Sequence, residues 1–193
     1  FLLNRSSDLS CGSGYILHTP EGAFETQQLI STIPAYHMAP AIEDLAPAAK
    51  EPLEQISFAS SAIVTLAYPR SAVANSLDAT GFLIPSPEQT ALSACTWSSE
   101  KWPDRAPEGY VTFRCFFSNI DPNLIQSRTH DEWRQLADQE LKQILTIHGQ
   151  PNQSWLHTWK DAQPQYKMGH LPNIERLDQQ LKAYPGIHLA GSP

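Results

Sequence analysis

Residues 56–68 constrain this chain more than any other stretch. Phe58, Ala62, Val64 and Leu66 share one strand parity, and Ala59, Ile63 and Ala67 share the other. A strand that is apolar on both sides must be covered on both sides, which places it at the centre of a sheet. Pro69 ends it. Three further strands are expected at short intervals, over residues 79–85, 91–97 and 110–118. Connections this short suit an antiparallel meander, because parallel neighbours need a long crossover. Gly81 stands inside one of these strands, where a glycine marks a bulge or a close approach of backbone. A proline-rich loop is expected over residues 98–109.

Around this sheet the periodicity changes. Residues 129–148 read as a helix. Thr129 and Glu132 form a capping box, and Trp133, Leu136, Ala137, Leu141, Ile144 and Leu145 form one apolar stripe. Gly149 stops it, and Pro151 comes two residues later. A second helix is expected over residues 172–184, opened by Pro172 and stopped by Pro185-Gly186. Residues 155–159 and 187–190 read as strands. Near the start, residues 15–32 read as a hairpin turning at Pro20-Glu21-Gly22, with its second strand running on toward Pro34. A short helix is expected at Ala35–Met38, with Pro40 and Pro47 breaking up the stretch to Lys50. The fold class is therefore α+β, a mostly antiparallel or mixed sheet covered by helices on one side.

Length and composition narrow the function. A chain of 193 residues suits one domain or one and a half, and 41% hydrophobic content supports a packed core. A formal charge of −7 argues against nucleic acid and against a purely electrostatic grip on anionic lipid. No apolar run approaches the roughly 20 residues of a membrane span. The three cysteines, Cys11, Cys95 and Cys115, form no CxxC pair, which fits a reducing compartment, with Cys95 and Cys115 as small buried hydrophobes. Phe1-Leu2-Leu3-Asn4 reads as a strand already under way, and residues 187–193 as a strand entering a loop. Both ends are those expected of a piece cut from a longer polypeptide.

The residues offer little acid–base or metal chemistry. There is no GxSxG turn and no HExxH, and the seven histidines are scattered, so no metal site is expected. Gly12-Ser13-Gly14 is a turn rather than a phosphate loop, and no dinucleotide fingerprint occurs. An aromatic, weakly charged sheet stands out instead, with Phe82, Leu83, Trp97, Trp102, Phe113, Phe116 and Phe117 on or beside its strands. Such a surface is either core or a wall for a flat, apolar ligand held by area and oriented by a few polar groups.

Three phrases carry a family resemblance. They are Ala79-Thr80-Gly81-Phe82-Leu83-Ile84-Pro85; Ala94-Cys95-Thr96-Trp97, continuing through Lys101-Trp102-Pro103 to Ala106-Pro107-Glu108-Gly109; and Pro164-Gln165-Tyr166 through Gly169-His170, ending in Pro185-Gly186 and Leu189-Ala190-Gly191. In this order and spacing they resemble the FAD-dependent porphyrinogen oxidases, which act on protoporphyrinogen or coproporphyrinogen III within the flavin amine oxidase-like superfamily. The resemblance covers nearly the whole chain. It implies an oxygen-dependent, six-electron oxidation of a porphyrinogen to the porphyrin in haem biosynthesis, in the cytoplasm, by a protein that can be peripheral at the membrane surface. In that reading the flavin does the redox step and the protein turns the macrocycle toward it.

The resemblance also implies an organisation and a site. Residues 1–34 resemble a hairpin of the FAD domain, residues 35–163 the porphyrinogen-binding domain, and residues 164–193 a return to the FAD domain. Gly81 and Leu83 match strand positions lying against the macrocycle, and Phe116 a hydrophobic position on the opposite wall. Trp159 and Tyr166 resemble residues beside the flavin ring. The basic partner of a substrate propionate is expected upstream. Arg70 and Arg114 are weaker substitutes, with Arg70 read as solvated. With no GxGxxG and no second glycine-rich flavin segment, the pyrophosphate has no helix N-terminus to sit on, so the chain alone is expected to be colourless and inactive. Its partners are then the porphyrinogen and the rest of the parent chain. Competing readings are another flavin amine oxidase-like enzyme, a stand-alone module for a porphyrin or other flat ligand, and a purely structural domain.

Overall fold

The computed structural model describes residues 2–6, 14–88 and 90–191. Phe1, Cys11, Gly12-Ser13 and Ser192-Pro193, on which parts of the sequence reading rest, lie outside them. The chain forms two compact units, Phe1–Phe58 with Pro164–Pro193, and Ala59–Gln163.

In the first unit, strands β1 (Leu2–Ser6), β2 (Gly14–Thr19) and β3 (Gly22–Thr26) form an antiparallel sheet. The hairpin closes at Thr26, sooner than expected. The Thr26 hydroxyl donates to the Gln28 carbonyl at 2.6 Å, turning the chain out of the sheet. The next residues form a separate strand, β4 (Leu29–Ser31). Helices α1 (Ala35–Ile42) and α2 (Pro47–Glu54) come next. Pro40 and Pro52 lie inside them rather than breaking them. Packing outweighs the lost backbone bond, since Met38, Ala39, Ile42, Ala49 and Leu53 are all buried in one cluster. Pro47 opens α2, where a missing N–H costs nothing. These helices pack with Leu177, Leu181 and Ile187, so residues 35–58 group with the two ends of the chain rather than with residues 59–163. The expected boundary at residue 35 falls inside this first unit.

Residues 153–191 supply the remaining elements: β9 (Gln153–Gln165), α6 (His170–Leu181) and β10 (Ile187–Leu189), the last pairing parallel with β4. Gly186, at φ +99°, brings the two strands together, because a Cβ there would collide with the Gln27 carbonyl.

The second unit is built on β5 (Ser57–Pro69), β6 (Gly81–Leu83), β7 (Ala94–Trp97) and β8 (Tyr110–Ile120). With β9 they form one sheet in the order β6-β7-β8-β5-β9, and the pairs β6–β7, β7–β8 and β8–β5 are antiparallel. The segment after β7 is not all loop, since Ser98–Lys101 makes a short helix, α3. Asp121 caps a further helix, α4 (Pro122–Ser127).

Helix α5 (His130–Ile144) covers one face of the sheet. Its capping box is present: Thr129 Oγ1 accepts from the Glu132 N–H at 3.3 Å, and the Thr129 N–H donates to the Glu132 carboxylate at 2.7 Å. That donation holds the Glu132 carboxyl below its usual range. The helix ends before Gly149 because Thr146 N–H donates to Asn75 Oδ1 at 2.8 Å and Ile147 bridges to Val73, drawing the chain into extended pairing.

Candidate functional site

Strand register sorts the sheet of the second unit into rows. Phe82, Cys95, Cys115 and Val64 are successive partners across β6, β7, β8 and β5. They belong to the buried side, with Trp133, Ala137 and Leu141 of α5 in the same core. The neighbouring row is Leu83, Ala94, Phe116 and Ile63, and the row on the far side of the buried one is Gly81, Thr96, Arg114 and Thr65. Because side chains alternate along a strand, these two outer rows share the opposite face. Leu83 there is 84% exposed.

The sequence reading put Phe116 on a wall opposite Leu83. The structure puts it in the same row, on the same face, separated by Ala94. The reason is parity, since Leu83 and Phe116 both pair with Ala94 and so must project to its side. The close approach that Gly81 allows is to its own neighbour strand. At φ +144°, a Cβ on Gly81 would run into the Cys95 carbonyl. Arg114 Cζ lies 5.3 Å from the centre of the Phe116 ring, a cation–π geometry that lays the guanidinium along the wall.

Past the Arg114 row the face deepens into a cavity of about 740 Å³, within the range of small-molecule sites. Thr65, Ala67, Thr112 and Arg114 come from β5 and β8, Trp155 from β9, and Ser98, Trp102, Arg105 and Tyr110 from α3 and the segment running to the start of β8. Among the described residues no acidic side chain lines it. Apart from Arg114 and Trp102, this cluster was not singled out in the sequence. The parity of residues 110–116 was the available signal, because it sets Thr112, Arg114 and Phe116 on one face.

The other anticipated positions are separate. Trp159 lies on β9, 41% exposed, with its ring centre 5.9 Å from that of His157. Tyr166 follows β9, 62% exposed, against the His170 ring at 4.6 Å. Arg70 is half-buried and bonded to backbone rather than free in solvent. Its guanidinium donates to the Val73 carbonyl at 2.6 Å and the Asn75 carbonyl at 3.0 Å, bracing the loop after β5. Cys95 and Cys115 face each other as free thiols in the core.

The family described as flavin containing amine oxidoreductase matches residues 4–192. The chain belongs to this family. Within it, coproporphyrinogen III oxidase of Bacillus subtilis is 31% identical over 183 residues, 94% of this chain and 38% of that protein. The chloroplastic protoporphyrinogen oxidase of Oryza sativa is 27% identical over 193 residues, 94% of this chain and 36% of that protein. Among solved structures, a candidate protoporphyrinogen oxidase from Exiguobacterium sp. 255-15 superposes with a TM-score of 0.81 at 27% identity, covering 99% of this chain and 40% of that one. The chain thus spans little more than a third of the length of these curated flavin-family relatives. Among the described residues, no helix is long and apolar enough to cross a membrane.

Proposed function

We propose that this chain supplies the porphyrinogen-binding part of an FAD-dependent porphyrinogen oxidase. The unit Ala59–Gln163 holds the substrate in this reading, and the macrocycle lies flat on the row Leu83–Ala94–Phe116–Ile63. The observation that carries it is that row itself: an apolar strip on the sheet face turned away from α5, ending in a leucine that is 84% exposed. An exposed leucine continuous with a phenylalanine and an isoleucine is a poor surface for water and a good one for the apolar face of a tetrapyrrole. Similarity to proteins named coproporphyrinogen III and protoporphyrinogen oxidases supports the same substrate class.

The redox chemistry of such an oxidase would be supplied by a bound FAD. The described residues do not fit the dinucleotide part of that cofactor. Their glycines stand singly, and no glycine-rich turn opens a helix. Trp159 and Tyr166 remain proposals for the flavin ring's surroundings. This chain's own share is to bind the macrocycle, shield one face from water and fix which methylene bridge points outward. Three cysteines without a CxxC pair fit a reducing compartment such as the cytoplasm.

The experiment is a titration of coproporphyrin III and protoporphyrin IX into the purified chain, followed by the Soret band. Saturable binding is expected, weakened at least about tenfold by Leu83→Asp, since a carboxylate under the ring must be desolvated. Equal binding by the native chain and Leu83→Asp overturns the wall. A chain mixed with FAD and desalted is expected to be colourless, and retained yellow colour overturns the assignment of the phosphate cradle elsewhere.

A further inference from the structure

We propose that the cavity beside Arg114 is a carboxylate-binding site for a flat ligand, and that Arg105, Arg114, Ser98 and Thr112 recognise the carboxylate. The proposal deepens the porphyrinogen reading and rests on it for the identity of the ring.

Charge is the first argument. The chain carries a formal −7, yet two arginines line one concave site with no acidic residue in its lining. Neither is in an ion pair among the described residues. An arginine presents a planar fork of donors matched to a carboxylate, and two of them in one concavity hold an anion far better than either alone.

Unmet polar groups are the second argument. Ser98 and Thr112 are each only 7% exposed, and neither hydroxyl oxygen has a partner. Buried hydroxyls are nearly always bonded, and exceptions collect where a ligand completes the set. Both residues are part of the cavity lining.

Shape is the third argument. Trp102, Tyr110 and Trp155 give the cavity aromatic sides, and its Arg114 edge is continuous with the wall, because Arg114 and Phe116 share a face and touch. A macrocycle lying on Phe116 thereby directs a carboxylate arm past Arg114 into the cavity. A separate small aromatic carboxylate offers the same chemistry, and the test distinguishes the two sources.

Coproporphyrin III and 2-naphthoate are each titrated by calorimetry into the native chain and into Arg105→Met, Arg114→Met and Leu83→Asp, with circular dichroism confirming that each variant folds. Arg105 is exposed, so Arg105→Met keeps the test alive if Arg114→Met does not fold. Loss of coproporphyrin affinity by about tenfold in either arginine variant supports the site. If 2-naphthoate also binds and weakens in the arginine variants but not in Leu83→Asp, the cavity takes free aromatic carboxylates. If 2-naphthoate does not bind, the macrocycle's own arm is the ligand. Coproporphyrin binding that falls in Leu83→Asp and is unchanged in both arginine variants overturns the cavity and leaves the wall standing. If the native chain binds no porphyrin, the wall fails, and the cavity survives only if 2-naphthoate binds and responds to the arginines. Binding of neither probe overturns both.

Discussion

The phenolic hydroxyl of Tyr68 donates to Oδ1 of Asp138 at 2.5 Å, and the Lys142 ammonium donates to the other carboxylate oxygen at 2.8 Å. Tyr68 belongs to β5 and Asp138 to α5, so this buried pair fastens the helix to the central strand. Asp138 is 5% exposed, and removing it leaves the tyrosine hydroxyl without its acceptor and the lysine with only the Gly149 carbonyl, at 2.6 Å. Asp138→Ala is expected to lose about 3 kcal/mol or more. Tyr68→Phe is expected to lose about 1 to 2 kcal/mol, since Lys142 still neutralises the carboxylate. Urea unfolding of both variants checks this, and an equal loss in the two contradicts it.

Stability is expected to fall on the alkaline side. The Cys115 thiol is held well above its ordinary range by its bond with the Cys95 sulfur and by burial. Burial, followed by the bond to Asp138, raises the Tyr68 hydroxyl strongly. Both groups keep their protons in the folded chain at a pH where the unfolded chain has lost them. Their stabilisation is therefore complete below the unfolded pKa and drains away as pH rises past it. Loss begins near pH 8.5 for the thiol and near pH 10 for the phenol, at about 1.4 kcal/mol per pH unit per group. Replacing both members of the pair, Cys95→Ala with Cys115→Ala, is expected to abolish the first phase and keep the second, as read from unfolding free energy between pH 7 and 11.

Gly81 should be irreplaceable for a backbone reason. Its φ of +144° is unfavourable for an L side chain, and its missing Cβ leaves room for the Cys95 carbonyl. Gly81→Ala is expected to cost about 2 kcal/mol, seen as a lower melting temperature without any ligand present. An unchanged melting temperature contradicts the described pairing of β6 with β7.

Thr112→Val should stabilise the unliganded chain. The hydroxyl is buried and unpartnered, so replacing it with a methyl of similar size removes a desolvated polar group at a gain of about 1 kcal/mol. The same change is expected to weaken coproporphyrin binding. A chain that gains stability while losing affinity marks a residue kept for the ligand, whereas a loss of stability shows that the hydroxyl is already satisfied.

Much of the second unit is legible in the sequence. Apolar residues on both parities of β5 pointed to a strand inside the sheet, and the short connections to antiparallel neighbours. The double cover they also implied is not there, since α5 covers the Val64 side while Ile63 and Thr65 are only partly buried. Thr129 and Glu132 marked the start of α5 to the residue, because a capping box is a local device. Its end was misplaced by several residues. Gly149 was a plausible stop, but the competing bonds from Asn75 and Val73 come from far along the chain. Pro40 misled for a related reason. The local cost of proline is fixed by the residue, while the burial that outweighs it depends on Leu177 and Leu181 more than a hundred positions away.

By itself, the sequence determined the class of the fold, the family and the alternation that gives each strand two faces, because propensity, capping and parity act over a few residues. Only the tertiary structure decided the register. It aligned Leu83, Ala94, Phe116 and Ile63 into one row, set Phe116 on the same sheet face as Leu83, and gathered Arg105, Arg114, Ser98 and Thr112 around a single cavity. Register is a relation between strands, fixed by which faces the whole sheet must bury, and no single segment carries it.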